Sequence, residues 1–299
     1  MSTITTNDGT TICSRSSSKA NGRSLSPENQ QTSKETEMTR SKTLRNLAAA
    51  VVAVAILAAA KATDATEQQK PSRGVTNVVL VHGAWADGSS WSKVIPLLAA
   101  KGLHVDAVQL PLTSQADDLA AVQRAIARVD GRLLLVAHSY GGAVITQAGN
   151  DPKVAGLVYV AAFAPAEGES PFDLTVATLP PFLQNVQPDA FGFLKLTEAG
   201  IREDFAPDLS DSEQTVLAAT QGPTSVASLS GPISTPAWRN KPSWFVIAAH
   251  DRVVLPTLQA MFAERMNATS ITLSSSHVAM LSQPYVVASV IRRAARNVQ

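Results

Sequence analysis

The fold is decided by the stretch Leu133-Leu134-Leu135-Val136-Ala137-His138-Ser139-Tyr140-Gly141-Gly142. Its apolar first half predicts a buried strand, and the residues that follow it have helical character. A serine on a sharp strand-to-helix turn has strained backbone geometry, so the residues two before and two after it must be small. Ala137 and Gly141 meet that demand, although glycine is usual at both places. The stretch therefore predicts a nucleophilic serine, Ser139, at the carboxyl end of a strand.

Outward from this turn, short β-branched runs alternate with longer amphipathic stretches from residue 75 onward. This alternation predicts a mostly parallel, doubly wound sheet covered by helices. The predicted strands lie at 78–81, 104–110, 133–136, 155–162, 244–249 and 270–273, and the predicted helices at 91–100, 117–128, 144–148, 258–266 and 286–295. Between about 165 and 241 the alternation lapses into Pro-rich sequence with helical patches such as 210–219. That interval predicts a small lid inserted over the carboxyl edge of the sheet.

The composition describes a globular chain with a sizeable core. The chain has 299 residues, of which 45% are hydrophobic and 16% charged, and its formal net charge is +1. No basic face or stripe suggests a nucleic-acid partner. The one cysteine, Cys13, and the five scattered histidines build neither a disulfide framework nor a zinc cluster, so we expect no metal. The oligomeric state is not readable from this composition.

The N-terminal part has the pattern of an export signal. Residues 38–45 are basic, residues 47–60 form an uncharged apolar run, and Ala60-Lys61-Ala62 offers a small-x-small cleavage site. The apolar run is shorter than the roughly 20 residues needed to cross a bilayer. We therefore predict a cleaved signal peptide at 38–62, a periplasmic or secreted protein without a stable membrane anchor, and a catalytic domain at 75–299. Residues 1–37 are predicted as a disordered extension ahead of a start at Met38; a disordered tail with an uncleaved anchor is the alternative.

A serine hydroxyl needs a histidine base that is itself oriented by a carboxylate. Asp251 comes directly after the predicted strand 244–249, and His277 follows the last predicted strand. Either residue alone could be an ordinary loop residue, but both lie at strand ends in the order serine, acid, histidine. We predict Ser139 as the nucleophile, His277 as the base and Asp251 as the acid, with Glu167 as the next acidic candidate.

The oxyanion that forms on attack needs two backbone N–H donors. The residue after the nucleophile, Tyr140, supplies one, and Ala84, in the loop after the first predicted strand, supplies the other. For His82 in the same loop a structural hydrogen-bonding role is expected rather than a catalytic one. The side chains of His138 and His250 are expected to point away from the site, and no role is assigned to them.

Together these motifs resemble a known family. His82-Gly83-Ala84-Trp85, His138-Ser139-Tyr140-Gly141-Gly142, Asp251 and His277-Val278-Ala279-Met280-Leu281-Ser282-Gln283-Pro284 are similar to the plant methylesterase and hydroxynitrile lyase branch of the α/β-hydrolase superfamily and its bacterial esterase relatives. The resemblance spans about residues 75–299. It implies an α/β-hydrolase fold with a small lid over an apolar pocket, and the same three catalytic residues.

Two positions separate the activities within that branch. Hydroxynitrile lyases of the family carry a lysine right after the catalytic histidine and a threonine in place of the loop glycine, whereas this chain has Val278 and Gly83. The resemblance therefore favours hydrolysis of a small-molecule ester through an acyl-enzyme, without metal or organic cofactor. Two alternatives stay open: a non-catalytic ligand-binding protein on the same fold, or a triad enzyme acting on a lactone, an amide or a peracid.

The predicted lid is rich in large apolar side chains that could line a substrate pocket. These are Phe172, Leu179, Phe182, Leu183, Phe191, Phe193, Leu194, Phe205 and Trp238. Trp85 could flank the site or simply pack against its neighbours. The pattern does not say which of these side chains face a ligand, but it favours an uncharged ester with a modest acyl chain.

Overall fold

A computed structural model describes residues 74–298 of the chain. The extension predicted at 1–37 and the signal peptide predicted at 38–62 lie outside the described residues. Within residues 74–298, no helix combines the length and the hydropathy that a bilayer span requires.

The described part contains two sheets. Their strands are β1 Asn77–Val81, β2 His104–Val108, β3 Leu133–His138, β4 Val154–Val160, β5 Val186–Pro188, β6 Phe193–Leu196, β7 Thr224–Ser225, β8 Ser243–Ala248 and β9 Thr269–Leu273. The main sheet has six parallel strands in the order β2-β1-β3-β4-β8-β9. This order confirms the predicted doubly wound parallel sheet.

Helices flank the main sheet and interrupt the chain between its strands. They are α1 Ile95–Ala99, α2 Gln115–Arg128, α3 Gly141–Ala148, α4 Pro171–Thr178, α5 Glu198–Gly200, α6 Asp211–Thr220, α7 Val226–Ser230, α8 Pro256–Arg265, α9 Ala279–Ser282 and α10 Pro284–Asn297. Every residue of β3 and of β4 is buried, which explains why these strands are continuously apolar rather than alternating.

The strand order places the site. The chain moves from β1 to β2 on one side, and all later strands of the main sheet lie on the other side of β1. Connections that leave neighbouring strands in opposite directions open a crevice at their carboxyl ends, where ligands bind in open α/β sheets. That crevice lies beyond the ends of β1 and β3, and Ser139 follows β3 directly.

One predicted helix is wrong in its bounds. Instead of a continuous helix over 91–100, the structure has a 3₁₀ turn at Gly88–Trp91 and the short helix α1. Pro96 lies in the first turn of α1, and its missing N–H cannot donate to a preceding turn. The side chain of Asp87 caps the 3₁₀ turn by accepting a hydrogen bond from Ser89 N–H at 2.6 Å.

The segment between β4 and β8 forms a second layer of structure. It contains α4 to α7 and an antiparallel sheet in the order β5-β6-β7. The sequence predicted a helix near 210–219, and α6 begins there after a capping box between Ser210 and Glu213. The small sheet was not predicted, because strands of 3, 4 and 2 residues are too short to show an alternating pattern.

Candidate active site

Ser139 lies on a strained turn between β3 and α3. Its φ is +52°, in the left-handed region that non-glycine residues rarely adopt, and only 3% of its surface is exposed. A Cβ at Gly141 would collide with the carbonyl oxygen of His82, so the small residue predicted there is a steric necessity. Strain of this kind persists only where the surroundings hold it, and such turns are common at functional sites.

The structure brings the three predicted catalytic side chains together. Ser139 Oγ lies 2.8 Å from His277 Nε2, and His277 Nδ1 lies 2.7 Å from Asp251 Oδ2. The Asp251 carboxylate accepts a hydrogen bond from Nδ1–H, which leaves Nε2 as an acceptor for the serine hydroxyl. All three residues are buried. The arrangement can take a proton from Ser139 without any rearrangement.

The carboxyl group of Asp251 is held in place by a set of hydrogen-bond donors. Its Oδ1 accepts hydrogen bonds from the N–H groups of Val253 (2.8 Å) and Val254 (3.0 Å). Its Oδ2 also accepts from Gln259 Nε2 at 2.8 Å. Gln259 is buried in α8, and its Oε1 accepts the Ala248 N–H at 2.9 Å. Sequence reasoning missed Gln259, because a lone glutamine on a helix carries no signal until the helix is packed.

The expectation that His138 points away from the site is wrong. Its ring centroid lies 4.5 Å from that of His277, and its Nε2–H donates to the His277 carbonyl at 2.9 Å. Successive side chains of an extended strand point to opposite faces of the sheet. The left-handed backbone at Ser139 ends the extended strand, so this rule does not hold between His138 and Ser139. Burial holds the pKa of His138 well below its usual value, and the ring stays neutral. His250 is exposed beside Ser274, as expected.

The two residues predicted as oxyanion donors lie at the same cavity as Ser139. Ala84 and Tyr140 line the same cavity as Ser139, and neither of their backbone N–H groups donates to another described residue. The loop comes so close that a Cβ on Gly83 would lie 2.6 Å from Ser139 Cβ. This closeness explains the glycine at that position.

The loop after β1 is held on both sides. His82 Nδ1–H donates to the Gly83 carbonyl at 2.8 Å, and its Nε2 accepts the Leu110 N–H at 2.9 Å, so the ring has the expected structural role. Trp85, with φ +57°, donates its backbone N–H to Thr224 Oγ1 at 3.1 Å. Its indole N–H donates to the Leu194 carbonyl at 2.9 Å. The small sheet of the inserted segment therefore fixes the loop that carries Ala84.

A cavity of about 570 Å³, including its open mouth, leads to Ser139. Its walls are almost entirely apolar and come from both layers: Ala84, Trp85, Ser139, Tyr140, Phe163, Pro171, Phe172, Thr175, Val176, Phe182, Leu183, Val186, Leu194, Leu229 and Val253. No Asp, Glu, Lys, Arg or His is among these described lining residues. The described residues also contain no group of three His, Cys, Asp or Glu side chains placed to hold a metal ion.

With this geometry in place, comparison with known proteins gives the family. The sequence profile of the alpha/beta hydrolase family matches residues 78–290. The chain belongs to this family. Among curated proteins, this α/β-hydrolase is 37% identical over 110 residues to a pyrethroid hydrolase of Sphingobium wenxiniae; the match covers 32% of this chain and 39% of that protein. The chain thus aligns with well under half of that relative's length.

Solved structures show the same fold over nearly their whole length. A pyrethroid hydrolase from Sphingobium faniae is 26% identical, with a TM-score of 0.65 over 74% of this chain and 97% of the other. A methylesterase from Arabidopsis is 19% identical, with a TM-score of 0.63 over 74% of this chain and 98% of the other. The predicted resemblance to plant methylesterases and their bacterial relatives is thereby confirmed.

The large apolar side chains of the predicted lid differ in where they lie in this α/β-hydrolase. Phe172, Phe182, Leu183 and Leu194 line the cavity, while Leu179 and Phe191 are 72% and 86% exposed. Phe193 is half-buried in β6, Phe205 contacts the His277 ring, and Trp238 is buried with its indole N–H on the Pro165 carbonyl. Trp85 both lines the cavity and packs edge-on against Phe182 at 5.6 Å. The spacing of these residues gave no sign of this division.

Two further acidic residues have partners outside the cluster of Ser139, His277 and Asp251. Glu167, the alternative acid, is an exposed residue paired with Arg239. Asp118, which drew no prediction, is fully buried in α2 and accepts the Tyr140 hydroxyl at 2.7 Å and the Leu112 N–H at 2.7 Å. Burial raises the pKa of its carboxyl. The hydroxyl of Tyr140 is thus anchored on the buried Asp118 carboxyl.

Proposed function

We propose that this α/β-hydrolase cleaves small, uncharged carboxylic esters through an acyl-enzyme. One observation carries the proposal: the Ser139 hydroxyl lies 2.8 Å from a buried imidazole at the wall of an apolar cavity. An activated serine next to preorganised N–H donors is suited to acyl transfer.

In the proposed mechanism His277 removes the Ser139 proton as Oγ attacks the ester carbonyl carbon. The N–H groups of Ala84 and Tyr140 bind the resulting oxyanion. The imidazolium, stabilised by ionised Asp251, then gives its proton to the departing alcohol. Water attacks the acyl-enzyme by the same route, with His277 as the base, and releases the acid.

The cavity supports the choice of substrate class. Because its lining lacks charged side chains, a charged acyl or alcohol group would lose its hydration without gaining a partner. The likeness to named pyrethroid hydrolases supports hydrolysis over ligand binding without chemistry. We propose esters whose apolar portion lies against the apolar walls of this cavity.

A series of p-nitrophenyl esters, from acetyl to octanoyl, tests this function. The protein should show turnover that depends on chain length, and Ser139→Ala should lower kcat on the order of 10⁶-fold, because a triad without its nucleophile retains little activity. Equal, slow rates in both proteins would favour the ligand-binding alternative. Turnover of lactones or amides in preference to esters would point to the other open alternative.

The role of Asp251 has its own test. Asp251→Asn should lower kcat about 10⁴-fold, because an amide no longer holds His277 in the tautomer that accepts the serine proton. Glu167→Gln removes an exposed carboxylate after the preceding strand of the sheet and serves as the control, with activity unchanged. Near-normal activity of Asp251→Asn would show that the acid is misassigned. His277→Ala should likewise abolish turnover while the circular dichroism stays native.

We also infer from the basic and apolar pattern of residues 38–62 that the protein is exported and its leader removed. Intact-mass measurement of periplasmic material from a full-length gene should give an N-terminus near Thr63. A mass that retains the leader would instead support the uncleaved-anchor alternative.

A further inference from the structure

A short part of the inserted segment reaches the base of the triad. The π-helical turn Ile201–Phe205 and the three residues after it, together called segment 201–208, lie against the loops that carry His277 and Asp251. The Phe205 ring lies 5.1 Å from the His277 ring, centroid to centroid. Single π turns are rare and often found at functional sites.

Asp208 binds the residue next to the base. Its Oδ2 accepts the backbone N–H of Ser276 at 2.8 Å, and its Oδ1 accepts the Ser276 hydroxyl. Ser276 is 1% exposed and directly precedes His277. One carboxylate thus fixes both a backbone and a side-chain donor of this residue.

Asp204 binds the residue next to the acid. Its Oδ1 accepts Arg252 Nε at 2.6 Å, and its Oδ2 accepts Asn185 Nδ2 at 2.8 Å. Asp204 is 1% exposed, and Arg252 directly follows Asp251. Segment 201–208 therefore contacts both loops that must meet for the Asp251 to His277 hydrogen bond to form.

We propose that Asp208 is a positioning residue for the base, acting through Ser276, and that Asp204 supports the neighbouring loop in the same way. The proposal rests on the proposed function, since it assigns His277 the role of base. Proton transfer requires the imidazole within hydrogen-bond reach of the serine, and a displacement of about 1 Å can cost about 10²-fold in rate. The inserted segment would then be part of the catalytic scaffold as well as a wall of the pocket.

A positioning role differs from a role in substrate binding or in packing. Asp208 does not line the cavity, so its loss should change kcat and leave KM alone. It is also exposed, so its replacement does not open a gap in the core. Glu203 offers a matched control: it is exposed in the same segment, and its side chain makes no hydrogen bond or ion pair with another described residue.

The experiment compares Asp208→Asn with Glu203→Gln, each of which removes one negative charge from segment 201–208. With p-nitrophenyl butyrate, Asp208→Asn should lower kcat about tenfold to a hundredfold with KM within about twofold of wild type. Glu203→Gln should match wild type. The low-field proton resonance of the His277 Nδ1–H, assigned by its loss in His277→Ala, should broaden in Asp208→Asn only.

Two results would overturn the proposal: a wild-type kcat with a sharp resonance in Asp208→Asn, or a rise in KM at unchanged kcat. If wild type shows no Ser139-dependent hydrolysis, the proposed function fails, yet the resonance still decides whether Asp208 orders the imidazole. If Asp208→Asn does not fold, Ser276→Ala replaces it, since it removes the hydroxyl and keeps the backbone donor. A several-fold loss of kcat is then expected, and an unchanged kcat overturns the proposal.

Discussion

The His277 imidazole lies next to Ser139, is buried, and is held from three directions: Asp251 accepts its Nδ1–H, His138 donates to its backbone carbonyl, and Phe205 packs against its ring. Each contact leaves the imidazole Nε2 free to accept the serine proton. At the residue scale, the proposed site therefore depends on the neighbours that orient His277 as well as on Ser139, Asp251 and His277 themselves.

Tyr140 allows the backbone and side-chain roles of one residue to be separated. Tyr140→Phe should keep kcat within about twofold, because the backbone N–H, the proposed oxyanion donor, is unchanged. It should lower the free energy of unfolding by about 1–3 kcal/mol, because the buried Asp118 carboxyl loses a hydrogen-bond partner. Urea unfolding and ester kinetics on the same preparation measure both quantities.

Tyr285→Phe is the control for this change, because Tyr285 is 77% exposed. It should leave both quantities as in wild type. A large loss of kcat in Tyr140→Phe with unchanged stability would mean that the phenol hydroxyl itself takes part in the reaction.

At the scale of elements, the two layers are interdependent. The loop after β1 carries Ala84, the proposed oxyanion donor, and its position is set by hydrogen bonds to β6 and β7, more than a hundred residues later in the chain. The small sheet therefore helps to build the site that it covers. The element bounds follow local rules where those are strong: Pro96 shortens the helix predicted at 91–100, and the Ser210 capping box begins α6.

Thr224→Val tests this coupling. The substitution keeps the shape of a fully buried side chain but removes the oxygen that accepts the Trp85 N–H. We expect a drop in stability of about 1–3 kcal/mol and a fall in kcat of about tenfold, because the Ala84 donor next to Trp85 loses its support. Thermal unfolding and the kcat of the best p-nitrophenyl ester check both values.

Thr220→Val is the matched control, because Thr220 is exposed and its hydroxyl bonds only within α6, to the Val216 carbonyl. It should have little effect on either value. Equal kcat in the two variants would show that the inserted sheet does not hold the oxyanion loop.

At the scale of the whole molecule, burial of histidines links stability to pH. Burial lowers the pKa of both His82 and His138 below 6.5. As the pH falls below about 6.5, these two histidines bind protons in the unfolded chain but stay neutral in the folded protein. The free energy of unfolding is therefore highest above pH 6.5 on this account and decreases as the pH falls below it.

For His138, whose pKa lies well below 6.5, the decrease should approach roughly 1.4 kcal/mol per pH unit once the pH is below the pKa of the unfolded histidine. Urea unfolding between pH 7.5 and 5 should show a shallower decrease for His138→Asn than for wild type. His104→Asn, which alters an exposed histidine, should keep the wild-type slope. The raised pKa of Asp118 acts in the opposite direction but is common to all three proteins. The same slope in His138→Asn as in wild type would contradict the assignment of a neutral ring.

The main sheet, the turn at Ser139 and the chain order of Ser139, Asp251 and His277 could be predicted without a structure. These follow from local signals: continuous apolar strands, a small residue at position 141, and polar residues at strand ends. The residues that surround them could not be predicted in this way. Gln259, Asp118, Asp208 and Thr224 act through contacts between segments far apart in the chain, and His138 faces His277 because the backbone twists at Ser139. Such contacts depend on packing in three dimensions, which no local period or spacing encodes.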